Sequence, residues 1–160
     1  MKTFMTSLAA CMMLAAVGTF AQNPNGQFGI GLTLGSGAGA QLTYAINSNF
    51  HIGARLGFQS TSVSGESQSQ LLFGPFFRYL LSTGGVTPYL YGEFEYSSVS
   101  SGGASESTTG LLLGGGVAYY WNASFGIRGE IHLLSLGLDP SSTTFAITPA
   151  RIGVDWFFGR

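Results

Sequence analysis

The sequence predicts an all-β fold, an eight-stranded antiparallel up-and-down transmembrane β-barrel, and two observations predict it. First, apolar residues alternate with small or polar ones along eight successive stretches, which is the period-two pattern of strands with two different faces. Second, the charged residues within those stretches all fall on the row opposite the apolar row. A sheet with its charges on one face and a continuous apolar surface on the other fits a polar lumen enclosed by a lipid-facing wall.

The composition supports a membrane barrel over a soluble domain. The chain has 160 residues, enough for one domain, of which 45% are hydrophobic, 14% aromatic and only 8% charged, whereas about a quarter of the residues in soluble domains are charged. The formal net charge of -1 offers no basic excess for nucleic-acid binding. The high apolar content argues against disorder.

Residues 1–21 have the features of a cleaved secretory signal peptide, which leaves residues 22–160 for the barrel. Lys2 is followed by an apolar run over residues 4–17, and small residues near Ala21 favour cleavage after that position. One alternative is a membrane anchor, but the run is short for a span of about 20 residues. Another is lipidation at Cys11, although the apolar run continues past it. Cleavage after Ala21 would leave no cysteine for a disulfide or a thiolate site.

The eight alternating stretches follow one another as hairpins. They cover residues 28–34, 38–46, 50–59, 70–80, 90–96, 111–121, 125–134 and a final stretch that ends in 151–158, preceded by residues 145–149 without clean alternation. Three Asn- or Ser-containing short turns favour tight reversals at one end. At the other end, residues 60–69, 97–109 and the segment around Asp139 are predicted to be polar loops, the first two flexible and hydrated. Pro75 cannot donate to a ladder and predicts a bulge in the fourth strand.

The charged row predicts a lumen charge network, which we define by four arginines and four carboxylates: Arg55, Arg78, Arg128, Arg151, Glu93, Glu95, Glu130 and Asp155. A soluble lipocalin-type barrel would place an apolar row inside and a polar row outside. In that arrangement only eight charges would face water on the outside of eight strands, because no lysine follows Lys2. This is too few for a soluble barrel. The reverse arrangement pairs opposite charges inside and exposes the apolar rows to lipid, where an arginine would cost about 2–4 kcal/mol at the midplane.

Aromatic residues cluster at the ends of the outward rows. With the N-terminus on the periplasmic side, most lie near the short turns and two lie near the longer loops: Phe28, Tyr44, Phe50, Tyr79, Tyr119, Trp121, Phe125, Trp156 and Phe158, then Phe58 and Tyr96. This distribution predicts two interfacial girdles.

The final strand carries the sharpest family resemblance. Its outward residues Ile152, Val154, Trp156 and Phe158 resemble the C-terminal signal that the barrel assembly machinery reads, although Gly159 and Arg160 follow the last aromatic. Over residues 22–160 the chain resembles the small eight-stranded outer-membrane barrels of the OmpA/OmpX type. The resemblance implies an outer-membrane location, contact with outer-membrane lipids and lipopolysaccharide, insertion by the assembly machinery, and a monomer.

For the function, the sequence favours a structural barrel whose lumen is plugged by paired charges, since eight strands leave an interior just wide enough for side chains. The alternatives are a small-solute porin or proton path, an adhesin or receptor acting through the loops, and a lipid A-modifying enzyme. An enzyme needs a histidine paired with a nucleophile or acid at the membrane surface, but His51 and His132 both fall on the inward row. We expect no catalytic residue, cofactor or metal site.

Overall fold

The computed structural model describes residues 22–35, 37–63, 66–102, 104–139, 141–145 and 151–159, so the predicted signal peptide lies outside the described residues. The described residues form nine strand segments and no helix long and apolar enough to cross a membrane. The segments are β1 (Gln27–Gly35), β2 (Gly39–Ala45), β3 (Phe50–Val63), β4 (Glu66–Leu80), β5 (Val86–Ser101), β6 (Ala104–Asn122), β7 (Phe125–Asp139), β8 (Ser141–Phe145) and β9 (Arg151–Phe158).

The sheet closes on itself as an eight-stranded antiparallel barrel, which confirms the predicted fold. Consecutive strands from β1 to β7 pair as neighbours, and β8 and β9 both pair with the same β7 strand. The two segments therefore occupy one of the eight strand positions. Closure occurs between the first and the last strand, where Phe28 of β1 lies opposite Phe158 of β9 and the ladder continues to Gly35 and Arg151.

The two faces of each strand differ as the alternation predicts. Along β9, Ile152 and Trp156 are 64% and 61% exposed, whereas Arg151 and Asp155 between them are 1% and 2% exposed. The outer wall of the barrel is therefore apolar, and its exposed members include Phe28, Ile30, Leu42, Leu56, Phe73, Leu90, Val117, Leu133 and Val154. In water this would be a far larger apolar patch than soluble monomers expose.

The aromatic residues of the predicted girdles lie on this outer face, and all of them except Tyr119 are at least partly exposed. Trp121 and Tyr79 are 46% and 47% exposed, but Tyr119 is only 8% exposed. The Tyr119 ring packs edge-on against Trp121, with 5.1 Å between the ring centroids. Tyr119 is thus covered by neighbouring side chains, and it presents less of its ring to the surroundings than its place in the predicted girdle requires.

The polar segments predicted as loops are strand extensions, so that prediction is wrong. β3 and β4 stay paired up to Val63 and Glu66, β5 and β6 stay paired up to Ser101 and Ala104, and β7 pairs with β8 next to Asp139. Because β4 and β5 also pair as far as Gln68 and Ser101, four strands form a continuous polar sheet beyond the apolar wall. Backbone ladders need no apolar side chains, and a sheet with polar residues on both faces leaves no alternation to recognise in the sequence.

The fourth strand contains no bulge at Pro75, which corrects another prediction. The β4–β5 ladder stops at the pair Phe73–Tyr96 and resumes at Phe76–Glu93, so two residues are skipped on each strand and the register is kept. Proline removes a donor without adding a residue, and a missing bond does not require a shift. The register shifts instead lie between β6 and β7, for example between Leu113 and Gly114.

Candidate functional site in the barrel lumen

The lumen charge network forms two clusters. The first surrounds Glu93 and lies toward the end of the barrel that carries the long β3–β4 and β5–β6 hairpins. Arg55 contacts one oxygen of this carboxylate, with Nη2 2.5 Å from Oε1, and Arg151 contacts the other, with Nη1 2.7 Å from Oε2. Arg55 also reaches Glu95 at 3.0 Å and donates to the carbonyl oxygen of Gly37. Glu93 is therefore held between two guanidinium groups that come from β3 and β9.

The second cluster lies toward the short turns around Asp155. Arg128 Nε is 3.1 Å and Arg78 Nη1 3.6 Å from Asp155 Oδ2. Glu130 lies 3.4 Å from Arg128 Nη1 and 3.9 Å from Arg78 Nε. A 3.7 Å contact between Arg151 Nη1 and Glu130 Oε1 joins this cluster to the first. The strands β3, β4, β5, β7 and β9 are thus cross-linked through the middle of the barrel.

The network is neutral in formal charge and almost completely buried. It has four arginines and four carboxylates, and apart from Glu95 each member is between 1% and 3% exposed. Glu95, whose side chain is 26% exposed, marks the edge of the network toward the long hairpins. Burial of unpaired ions is strongly unfavourable, so close pairing of opposite charges is what allows so many of them in one lumen.

Uncharged residues complete the network, and the sequence analysis did not identify them as part of it. Gln41 accepts from Arg78 at 2.9 Å and from Arg128 at 2.8 Å, and donates to Asp155 at 2.5 Å. The hydroxyls of Tyr89 and Tyr91 donate to Glu130 and Glu93 at 2.9 and 2.6 Å. These residues occupy inward positions of β2 and β5. Their inward position in the sequence pattern could have identified them as partners of the network, but a search for charged residues alone does not include them.

Glycines make room for the charged side chains. A Cβ atom at Gly74 would overlap the Glu93 carboxylate, and one at Gly31 would overlap the Asp155 carboxylate. Of the triple glycine on β6, Gly116 makes room for an uncharged partner of the network, because a Cβ there would meet the Tyr89 ring 2.6 Å away. A Cβ at Gly114 would instead overlap the backbone of β7. The glycine-rich rows therefore reflect close packing inside a narrow barrel.

A layer of apolar and aromatic side chains lies between the network and the short turns. It includes Leu80, Tyr120 and Phe157, each about 1% exposed. His51 lies in the same region, with its ring centroid 5.6 Å from that of Phe157. His132 is stacked on Tyr91 at 5.6 Å beside the charged clusters. Both histidines are thus in the lumen, and no group of three potential metal ligands occurs among the described residues.

The outward residues of the final strand lie where the sequence places them. Ile152, Val154, Trp156 and Phe158 are between 39% and 64% exposed and alternate with the buried Arg151, Gly153, Asp155 and Phe157. They belong to the strand that closes the barrel against β1.

A closed antiparallel barrel with an apolar outer wall and a paired, charged lumen defines the transmembrane class of β-barrels. The chain belongs to the outer membrane protein beta-barrel domain family, whose model matches residues 7–156. This membership places it among outer-membrane proteins. No curated protein matches the chain.

Two solved structures share the fold. The N-terminal β-barrel domain of Pseudomonas aeruginosa OprF is 16% identical with a TM-score of 0.61, and the match covers 84% of this chain and 98% of that chain. A major outer membrane protein from Thermus thermophilus is 14% identical with a TM-score of 0.51, and the match covers 82% of this chain and 98% of that chain. These likenesses agree with the small outer-membrane barrel that the resemblance implied.

Proposed function

We propose that the protein is a structural component of the outer membrane whose lumen is plugged by the Arg–carboxylate network, so that it contributes to envelope integrity and is not an open porin. The observation that carries this proposal is the near-complete burial of seven paired charges across the middle of the lumen. An open water channel would leave such side chains hydrated.

The proposal includes how the protein reaches and occupies the membrane. The leader is cleaved after Ala21, and the outward residues from Ile152 to Phe158 provide the signal for the assembly machinery. The barrel then stands as a monomer among outer-membrane lipids and lipopolysaccharide. The mass of the protein purified from membranes tests the cleavage site directly.

Single-channel recording in planar bilayers tests the plug. We expect no steady conductance from the purified barrel, measured beside a general porin reconstituted in the same lipid. A stable, reproducible pore would contradict the proposal and favour a small-solute porin. Mass spectrometry of lipid A, with and without expression, tests the enzyme alternative, because loss or gain of an acyl chain would show catalysis.

A second candidate function is binding of an external partner, and the extended polar sheet favours it. β3 to β6 continue as a four-stranded sheet beyond the wall, with Ser62, Gln68 and Ser105 among its polar residues. Such a sheet gives an adhesin or receptor a rigid surface where flexible loops would not. Cells that express the barrel without residues 100–107 should lose partner binding if this candidate is right, while the amount of barrel in the membrane stays unchanged.

A further inference from the structure

The segment before the first strand, residues 22–26, is fixed at the short-turn end of the barrel by two buried residues. Asn23 is 6% exposed, and its Nδ2 donates to the carbonyl oxygens of Ser48 at 2.9 Å and of Ser82 at 2.8 Å. These two serines lie in the β2–β3 and β4–β5 turns. Pro24, the next residue, is less than 2% exposed. Positions 23 and 24 therefore hold the segment against the short turns.

Gln22 lies outside this anchored part. Its side chain is exposed at the barrel mouth, near Asn25, Ser48 and Thr83. The proposed cleavage after Ala21 makes Gln22 the first residue and gives it a free α-amino group. Among the described residues that line the mouth, none is a carboxylate that could pair with an ammonium group there.

We propose, on the basis of that cleavage, that Gln22 is a modification site, where the freed α-amino nitrogen attacks the side-chain amide carbon of the same residue and forms pyroglutamate. A bond forms between the α-nitrogen and Cδ, and the bond between Cδ and Nε2 breaks. Nε2 leaves as ammonia with the proton that the α-nitrogen gives up. The product is a lactam ring, and no co-reactant is consumed. Because both groups belong to one residue, the step has the advantage of intramolecular proximity.

The exposure of Gln22 makes this ring closure possible. An α-amino group is partly unprotonated near neutral pH and is then a nucleophile. An exposed side chain keeps its rotamer freedom, so the Gln22 amide can turn toward the α-nitrogen, whereas the Asn23 amide is held by two turns. The ring carries no charge, so the modification removes the ammonium group from the barrel mouth.

A second pair of residues in the segment could lose ammonia, but the fold protects it. In an Asn-Gly sequence the backbone nitrogen of the glycine can attack the side-chain carbon of the asparagine, and Asn25-Gly26 is such a sequence. The Gly26 N–H, however, donates to the carbonyl oxygen of Ala45 at 2.8 Å, next to the first pair of the β1–β2 ladder. Attack would have to break this hydrogen bond, so we assign the loss of ammonia to Gln22.

The test uses the full chain, expressed with its own leader, purified from outer membranes and incubated at neutral pH. Intact mass spectrometry should give the mass of residues 22–160 less one molecule of ammonia. Tandem mass spectrometry of the N-terminal peptide should locate the loss at residue 22. Edman degradation needs a free α-amine, so it should find the chain blocked, and pyroglutamyl aminopeptidase should reopen the denatured chain at Asn23.

Two substitutions at exposed positions serve as a matched pair. Gln22→Ala removes the amide and should give a chain of full mass whose N-terminus can be sequenced. Asn25→Ala removes the other amide that could release ammonia, and it should leave the loss unchanged.

The outcomes separate the modification from the cleavage on which it depends. A chain that begins at Gln22 and keeps its full mass after incubation overturns the modification and leaves the cleavage intact. A loss located at Asn25, or one that persists in Gln22→Ala, overturns the assignment to Gln22. A chain that begins at another residue contradicts the cleavage, and the modification with it.

Discussion

Gly153 on β9 lies directly opposite Arg128 on β7, and its missing side chain provides the space that the guanidinium group fills. A Cβ atom at Gly153 would overlap the guanidinium carbon and both terminal nitrogens. Arg128 in turn needs this position in order to reach Asp155 and to donate to Thr33 at 2.7 Å. A glycine on one strand thus determines an ion pair made by its neighbour.

Gly153→Ala should therefore destabilise the barrel by about 1–3 kcal/mol, the usual cost of forcing an extra methyl group into a packed interior. The measurement is urea unfolding of the protein in detergent micelles. Gly129→Ala is the matched control, because a Cβ there meets nothing closer than a backbone oxygen at 4.0 Å. Equal effects of the two substitutions would show that Gly153 makes no space for Arg128.

Glu93→Gln should lower the free energy of unfolding by about 1–3 kcal/mol, because it removes the closest counter-charge of two buried guanidinium groups, which keep only their contacts with Glu95 and Glu130. The amide has nearly the same shape as the carboxylate, so the loss reports charge and not volume. Glu106→Gln, an exposed residue of the β5–β6 hairpin, should change stability by less than about 0.5 kcal/mol. A small effect at Glu93 would mean that water screens the clusters.

Arg128→Ala should lower the melting temperature of the barrel in detergent, and combining it with Asp155→Asn should cost less than the sum of the single changes. Arg128 and Asp155 are partners at 3.1 Å, and residues in direct contact show interaction energies of about 0.5–3 kcal/mol in double-mutant cycles. Additive effects would indicate that the two charges do not stabilise each other.

Ile152→Arg should reduce folding into lipid vesicles, with a cost of about 2–4 kcal/mol if the residue lies at the bilayer midplane. Ile152 is 64% exposed on the apolar wall. Ser100→Arg on the polar β5–β6 hairpin should have no such effect, because this residue lies beyond the wall. Normal insertion of the Ile152 variant would contradict a lipid-facing assignment of this row.

Deletion of residues 100–107 should leave insertion intact, since Ser97 lies opposite Thr108 below the deleted segment and Ser98 with Val99 can form the new turn. The readout is the amount of folded protein recovered from the outer membrane. Failure to assemble would mean that the β5–β6 extension takes part in barrel closure.

The sequence predicted the fold and the charged lumen because both follow from side-chain alternation, which is a local property. It did not predict the strand extensions, since Ser, Thr and Gln on both faces give no alternation although their backbones pair. The bulge at Pro75 was predicted because proline lacks a backbone N–H donor. The β4–β5 ladder is interrupted there, but it resumes in the same register, so no bulge forms. Gln41 was placed on the inward row, but its contacts with Arg78 and Arg128 depend on how three strands approach in space, which no single strand encodes.

The closing pair of strands lies far apart in sequence, since Phe28 of β1 meets Phe158 of β9. Arg151, which comes from that last strand, also joins Glu93 and Glu130. A chain that lacks this last strand therefore leaves the edge of β1 unpaired, and Glu93 and Glu130 lose their contacts with Arg151. Such long-range contacts form slowly, so the strand that closes the wall is also the one that completes the charge network of the lumen.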